Sequence, residues 1–286
     1  MSNVDFYKGL SMVSLQDKEL RLRTLLRSYS KLAIAFSGGV DSTLLLSLAA
    51  EELPGSVIAV TSRVPMTPAK EFEEAKLFCE EQGVDQLICT PDVLSLDQVK
   101  MNSPKRCYYC KTMLFSSMKE AAAENSYSII ADGTNVDDLA DYRPGMKAIK
   151  ELGVVSPFLE AGFTKKDIRD LSLQRSLSTW NKQSNACLAT RIPYGQELSY
   201  DLLSRIDQTE ELLHILGFTN VRLRVHNDVA RIEIGLDQFT KLLDDSVRES
   251  IIEQVKDLGF SYITLDLEGF RTGSMNTEVL GALSEK

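Results

Sequence analysis

Along the first two-thirds of the chain, short β-type runs alternate with amphipathic stretches of helical length. This is the pattern of βαβ units wound around a parallel sheet. KLAIAF (31–36) reads as a buried strand and the stretch from Asp41 to about Glu52 as the helix that follows it. SVIAVTS (56–62) is the next strand, with a helix from about Pro68 to Gln82 behind it. DQLICT (85–90) and YSIIADG (127–133) read as further strands. Between them Lys111 to Glu124 is helical, with Met113, Leu114, Met118 and Ala121 on its apolar face. Thr164 is placed to cap a helix over Lys165 to Arg175, with Asp167 three residues on.

After about Gly195 the grammar changes. Tyr200 to Leu216 reads as an amphipathic helix ending at Gly217. VRLRVH (221–226) and VARIEI (229–234) alternate strictly and are joined by Asn227 and Asp228, a hairpin signal. A helix from about Asp237 to Leu258 and a strand YITLDL (262–267) complete an α-β-β-α-β run. The expected organisation is therefore an α/β domain over 1–196 and a smaller α+β, substrate-binding domain over 197–286.

Composition narrows the class without naming a chemistry. At 286 residues, with 43% hydrophobic and 26% charged positions, the chain matches an ordinary globular protein. Its 32 Lys and Arg against 41 Asp and Glu leave a net charge of -9, which disfavours nucleic acid as a substrate. The opening residues carry no apolar core of a secretory signal, and the apolar stretch around Thr43 to Ala50 is too short to span a bilayer. A cytoplasmic, membrane-free protein is expected, assembled as a homo-oligomer. In a reducing compartment the five cysteines (Cys79, Cys89, Cys107, Cys110 and Cys187) are read as core thiols, catalytic thiols or metal ligands.

The motif with most chemistry is SGGVDS (37–42), set between a strand and a helix. Gly38 and Gly39 let backbone N–H groups close around an anion, and the helix start adds its own amides and partial positive charge. Ser37 and Ser42 add hydroxyl donors, while Asp41 is suited to act through Mg²⁺. The absence of GxxxxGK[ST] excludes the P-loop kinase and GTPase reading. Strand, SGG, acid, Ser and helix in this order resemble the pyrophosphatase loop of the adenine-nucleotide α-hydrolase-like enzymes. The resemblance implies a Rossmann-like sheet of the HUP type, ATP cleaved between its α- and β-phosphates, and AMP placed on a substrate. Thr61 and Ser62 at one strand end, and Asp132, Gly133, Thr134 and Asn135 at another, lie where a nucleotide or a simple turn would be found.

Cys107 and Cys110 form CYYC, flanked by Lys105, Arg106 and Lys111, and Cys187 lies in the polar stretch WNKQSNACLATRIPYG (180–195). Three thiolates would leave one iron of a [4Fe–4S] cluster open to an extra sulfide. A redox dithiol, inert thiols, structural zinc or Cys187 as a lone sulfur donor are the competing readings. In the hairpin, Arg222, Arg224 and His226 share one face and Val221, Leu223 and Val225 the other. Across from them Arg231 and Glu233 share a face. Such a surface suits a phosphate or carboxylate ligand, or cross-strand ion pairs on a solvated sheet.

SGGVDS, DYRPG (141–145), WNK with CLATRIPYG, RLRVHNDVARIE (222–233) and LDLEGFRTG (265–273) together resemble one family over nearly the whole length. It is the LarE-type family of ATP-dependent sulfur transferases, which make the nickel-pincer nucleotide cofactor of lactate racemase. The resemblance implies a small nucleotide substrate, pyridinium-3,5-dicarboxylate mononucleotide, whose carboxylates are adenylated and converted to thiocarboxylates. It implies that Arg222 and Arg224, with Arg191, grip the substrate phosphate, and that Glu210 and Glu233 match positions near a metal or the reacting group. Some members sacrifice a single cysteine after WNK. Here Ala186 falls at that place and Cys187 follows it, while CYYC matches the branch with a three-cysteine cluster, which favours cluster-delivered sulfide. tRNA 2-thiolation is the nearest alternative, and an ammonia-using ligase or an ATP-binding sensor stands further off.

Overall fold

The expected alternation is realised as a parallel sheet with helices on both faces. The computed structural model describes residues 13–140, 144–183 and 186–271. β1 (Leu32–Ala35), β2 (Val57–Ser62), β3 (Gln86–Cys89) and β4 (Ile130–Ala131) stand in the order β3-β2-β1-β4, and each neighbouring pair is parallel. Side chains alternate across the strands. Leu32, Ile34, Val57 and Ala59 therefore join one buried cluster, shared with α1 (Leu15–Arg27), α2 (Val40–Glu52) and α3 (Ala69–Gln82). Ala33, Ile58 and Val60 join another, shared with α4 (Arg106–Glu124) and α5 (Pro144–Glu151). Burial on both faces is why these strands read as unbroken apolar runs. For the same reason α2 is apolar on every side, with Leu44, Leu45, Leu46 and Leu48 all fully buried.

The chain lays down β1, β2 and β3 in one direction and then returns with β4 to the opposite side of β1. In an open parallel sheet such a reversal leaves a crevice beyond the carboxyl ends of the two strands concerned. The segments leaving β1 and β4 are SGGVDS and Asp132–Asn135. β4 is shorter than the expected YSIIADG. At Asp132 the backbone turns to Val155, whose carbonyl accepts the Asp132 N–H at 2.9 Å. The helix around CYYC starts at Arg106 rather than Lys111, so both cysteines lie within its first turns. Helices α1, α5 and α6 (Pro157–Ala161) had no expectation attached to them.

The chain divides into two compact units. One takes residues up to Val64, Ala69–Val93 and Cys107 to residue 183; the other takes Pro65–Pro68, Leu94–Arg106 and residue 186 onward. Counting on in chain order past α7 (Lys165–Gln174), the second unit contains α8 (Tyr200–Ile215), the hairpin β5 (Arg222–His226) and β6 (Val229–Glu233), α9 (Asp245–Asp257) and β7 (Tyr262–Leu265). β5 and β6 are antiparallel, β6 and β7 parallel, in the order β5-β6-β7. Asn227 takes the left-handed conformation, φ 55°, that a two-residue hairpin turn needs. The single long helix expected from Asp237 to Leu258 is a correction. A 3₁₀ segment (Leu236–Leu243) comes first, and extended Asp244 then caps α9, accepting from the N–H groups of Ser246 (2.9 Å) and Val247 (3.3 Å). An Asp at such a place competes for its own backbone and ends one helix to start another.

The capping box at α7 forms as expected and carries more than the helix end. Asp167 accepts from the Thr164 N–H (2.8 Å) and hydroxyl (2.6 Å), and Thr164 accepts from the Asp167 N–H (3.2 Å). The same carboxylate takes Lys18 of α1 at 2.6 Å, a lysine only 1% exposed. Burial raises the Asp167 carboxyl, but the hydrogen bonds from Lys18 and Thr164 outweigh it and hold it below its ordinary value. A carboxylate depressed in the folded state adds stability above its unfolded pKa, near 4, and loses it as pH falls through the folded one. Asp167→Ala removes the carboxylate that a buried ammonium and the Thr164 cap share, and should cost about 3 kcal/mol in urea unfolding at neutral pH. The gap from the parent protein should narrow below about pH 4, and an unchanged gap at pH 3 would contradict this account.

Candidate functional site

The loop after β1 is closed across its base. The Ser37 N–H donates to Ser42 Oγ at 3.3 Å, and the two hydroxyl oxygens lie 3.2 Å apart. Gly38 has φ +68° and presses on α3, where a Cβ added to it would come 3.2 Å from that of Ala75. Gly39 stands at the N-cap of α2 with no side chain to cap it. Among the described residues the N–H groups of Gly38, Gly39 and Val40 meet no acceptor. Orphan amides converging at a helix start form a cradle for an anion.

The segment after β4 abuts this loop. A Cβ on Gly133 would come within 2.9 Å of the Asp41 Cβ and 3.2 Å of the Ser42 nitrogen, so the approach needs glycine. Asp132 shapes the turn, accepting from the hydroxyls of Ser156 (2.6 Å) and Thr134 (2.5 Å). Asp41 is half-buried and ion-paired with Lys165 at the first position of α7, with the Asn135 amide 3.5 Å away. Its carboxylate is a hard oxygen donor beside the cradle, which fits a hydrated Mg²⁺ accompanying a nucleotide. Thr61 is placed differently. It is buried, its hydroxyl donating to the Phe36 carbonyl (2.9 Å) and accepting from Gln86 Nε2 (2.8 Å), so it ties β2 to its neighbours behind the loop. Ser37, Gly38, Gly39, Asp41, Ser42, Asp132 and Gly133 are thus brought together.

Two lysines that sequence reasoning did not single out reach this loop. Lys165 pairs with Asp41, and the Lys182 ammonium donates to the Gly38 carbonyl at 3.0 Å and pairs with Glu74 of α3 at 2.7 Å. The WNK triplet was the only signal for the second.

No disulfide joins the five cysteines. Cys79 and Cys89 are core thiols, and burial pushes the Cys79 thiol up to about 12 and raises that of Cys89. Cys107 is exposed and Cys110 half-buried, three residues apart on α4 and so on one helix face. Arg106, expected beside them as a flanking cation, is instead buried with its guanidinium on Asn102 (2.7 Å) and stacked over Tyr194 (4.7 Å). Cys187 is exposed. Its carbonyl and that of Ala186 both accept from Arg191 Nη1, at 3.3 and 2.5 Å. Among the described residues no three His, Cys, Asp or Glu side chains gather into a ready metal site. Asp141 to Arg143 of DYRPG, Ser184 and Asn185, and Thr272 and Gly273 lie outside those residues.

In the second unit the charged face of the hairpin is largely covered rather than solvated, with Arg224 and Glu233 buried and Arg222, His226 and Arg231 half-buried. Arg191 is 1% exposed and forks onto Glu210 of α8, Nε to Oε1 at 2.9 Å and Nη2 to Oε2 at 2.8 Å. Glu210 also accepts the Leu223 N–H at 2.8 Å. Glu233, fully buried, faces Arg222 in the register but pairs diagonally with Arg224 at 3.1 Å, and with Arg231 at 3.3 Å. Both carboxylates are therefore neutralised by arginines. Arg224 also donates to the Thr190 carbonyl (2.9 Å), and its buried Nε meets no acceptor among the described residues. Arg222 is left over. It donates to its neighbour's carbonyl at Val221 (2.7 Å), stacks on Phe270 (5.1 Å) and has no carboxylate within ion-pair distance among the described residues. Burial, with repulsion from Arg191 and Arg224, pulls its guanidinium down to about 10. A cation so placed lacks an anion.

The asparagine synthase family profile matches residues 21–101, the part of the chain that holds β1, the loop and α2. The pyridinium-3,5-bisthiocarboxylic acid mononucleotide synthase of Lactiplantibacillus plantarum is 39% identical over 93% of this chain and 96% of its own. Uncharacterised proteins of Synechocystis and Methanocaldococcus jannaschii are 34% and 31% identical, over 92% and 85% of this chain and 98% and 91% of theirs. A parallel sheet with a glycine-lined anion cradle at its reversal point, in a chain alike over nearly its whole length to that synthase, leaves one assignment: the chain belongs to the LarE-type family of pyrophosphatase-loop, ATP-dependent sulfur transferases.

Proposed function

We propose that this enzyme converts the carboxylates of pyridinium-3,5-dicarboxylate mononucleotide into thiocarboxylates at the expense of ATP. The observation that carries the reading is Arg222, a desolvated cation beside two other arginines with no acid of its own. A substrate with a phosphate and two carboxylates supplies the missing charge. The name of the plantarum relative supports the same substrate class. Arg222 grips the phosphate, with the charge of Arg224 beside it. Arg191 holds the segment 186–191 against Glu210 behind them, and Glu210 and Glu233 keep the arginines in place.

The chemistry follows in two balanced steps. A substrate carboxylate oxygen attacks the α-phosphorus of ATP, the bond to the β-phosphate oxygen breaks, and pyrophosphate leaves into the cradle of Gly38, Gly39 and Val40 N–H groups. Asp41 would hold Mg²⁺, which neutralises charge on the leaving pyrophosphate. Sulfide then attacks the carbonyl carbon of the acyl adenylate, AMP departs, and a thiocarboxylate remains. Each carboxylate consumes one ATP, and no electrons are exchanged. Ser37 and Ser42 keep the cradle closed, and Asp132 and Gly133 form its far wall. Thr61 backs the loop through Phe36.

For the sulfur source we propose that Cys107, Cys110 and Cys187 hold a [4Fe–4S] cluster. Two accessible thiols on one face of α4 and a third on a surface segment are suitable donors. When bound, such a cluster leaves one iron open to carry sulfide.

Arg222→Gln should raise the KM for the mononucleotide about tenfold to a hundredfold, the worth of a lost charge-assisted contact, with a much smaller change in kcat. An unchanged KM would sever the phosphate assignment. Pyrophosphate release should require the dicarboxylate, and release without it would point to another acceptor. Anaerobically prepared protein should contain iron and acid-labile sulfide, absorb broadly in the visible, and lose both in Cys107→Ala and Cys110→Ala. Iron-free protein that makes one thiolated carboxylate per chain, with loss of H₂S from Cys187 by intact mass, would replace the cluster by a sacrificed cysteine.

A further inference from the structure

The strap at residues 180–182 reaches the pyrophosphate cradle in a way the chemistry above does not use. Arg169 of α7 holds it at both ends, donating to the carbonyls of Trp180 and Lys182, each at 2.9 Å. From that anchored backbone the Lys182 side chain, 21% exposed, crosses to the Gly38 carbonyl at 3.0 Å, steadied by Glu74 at 2.7 Å. Glu74 is the residue before Ala75, against which Gly38 packs. Three elements therefore converge on one peptide group, that between Gly38 and Gly39.

In a trans peptide the C=O and the following N–H point in opposite directions. Fixing the Gly38 carbonyl on the lysine side fixes the Gly39 N–H on the other, where it meets no acceptor among the described residues. Between two glycines nothing else sets that plane, because both tolerate either sign of φ and the peptide can flip at little steric cost. A flipped peptide would turn a carbonyl oxygen toward the anion and remove a donor at once.

We propose that Lys182 is a positioning residue for the pyrophosphate part of ATP. It acts through the Gly38 carbonyl, with Arg169 holding the strap that carries it. This rests on the reading that ATP binds at residues 37–42. Lys182 does not itself contact the phosphates; its ammonium is engaged by Gly38 and Glu74, and its effect is on the direction of the Gly39 N–H.

The test is equilibrium binding of inorganic pyrophosphate, and separately of ATP, to the full-length protein by calorimetry over a range of salt concentrations. Wild-type protein that binds neither would remove the reading beneath the inference rather than the inference alone. With wild-type binding in hand, Lys182→Met is expected to weaken both ligands by about tenfold or more, with the salt dependence unchanged because no ligand-contacting charge is lost. Lys182→Arg, which keeps a donor within reach of the carbonyl, should recover most of the affinity. Arg169→Gln, which loosens the strap and leaves Lys182 in place, should weaken binding in the same sense and less. A Lys182→Met variant that binds as the wild type does, or that loses the salt dependence together with affinity, overturns the positioning role. In the second case the ammonium would be a direct ligand.

Discussion

The loop that follows β1 depends on a missing methyl group. At residue 133 a Cβ would come 2.9 Å from that of Asp41, a separation real side chains do not tolerate. The sheet order makes this contact unavoidable, because β4 lies beside β1 and their loops leave the same edge. Once the two loops touch, the rest is fixed in turn. Asp41 is held toward Lys165, the Ser37 and Ser42 hydroxyls close the base, and the amides of Gly38, Gly39 and Val40 remain for an anion. The donors here are set by how the backbone is stacked, with side chains serving mainly to keep the stack in register.

The second unit solves the opposite problem, assembling positive charge in a dry place. Arg191 and Arg224 are almost wholly buried, which is costly unless each charge is answered. Glu210 and Glu233 answer two of them and leave Arg222 unanswered. Burial first, and the neighbouring guanidinium groups next, lower its proton affinity. Any anion that approached this face would meet a guanidinium whose charge no carboxylate has yet answered. The diagonal choice of Glu233, Arg224 over the directly opposite Arg222, is what leaves Arg222 without a carboxylate among the described residues.

Much of this was legible in the residues because the signals were local. The strand-glycine-helix order at 31–52, the Thr164 to Asp167 box and the Asn227 hairpin turn each declare themselves within a few positions, and each forms. Alternation along VRLRVH separated the two faces correctly. It carried no information on what lies over the charged face, so its burial could not be read. Asp244 was lost inside a stretch with helical periodicity on both sides, though an Asp is a natural cap. The reach of the lysines to the loop had no local trace beyond the WNK triplet: Lys165 meets Asp41 across 124 residues and Lys182 meets Gly38 across 144. Thr61 illustrates the converse, a strand-end hydroxyl placed where a ligand contact is expected but turned into the sheet.

Arg191 grips the main chain at Ala186 and Cys187 by their carbonyls while Cys187 itself is exposed to solvent. The anchoring bonds are made by main-chain atoms, so a change confined to the Cys187 side chain leaves them in place, and the segment should keep its fold whatever stands at residue 187.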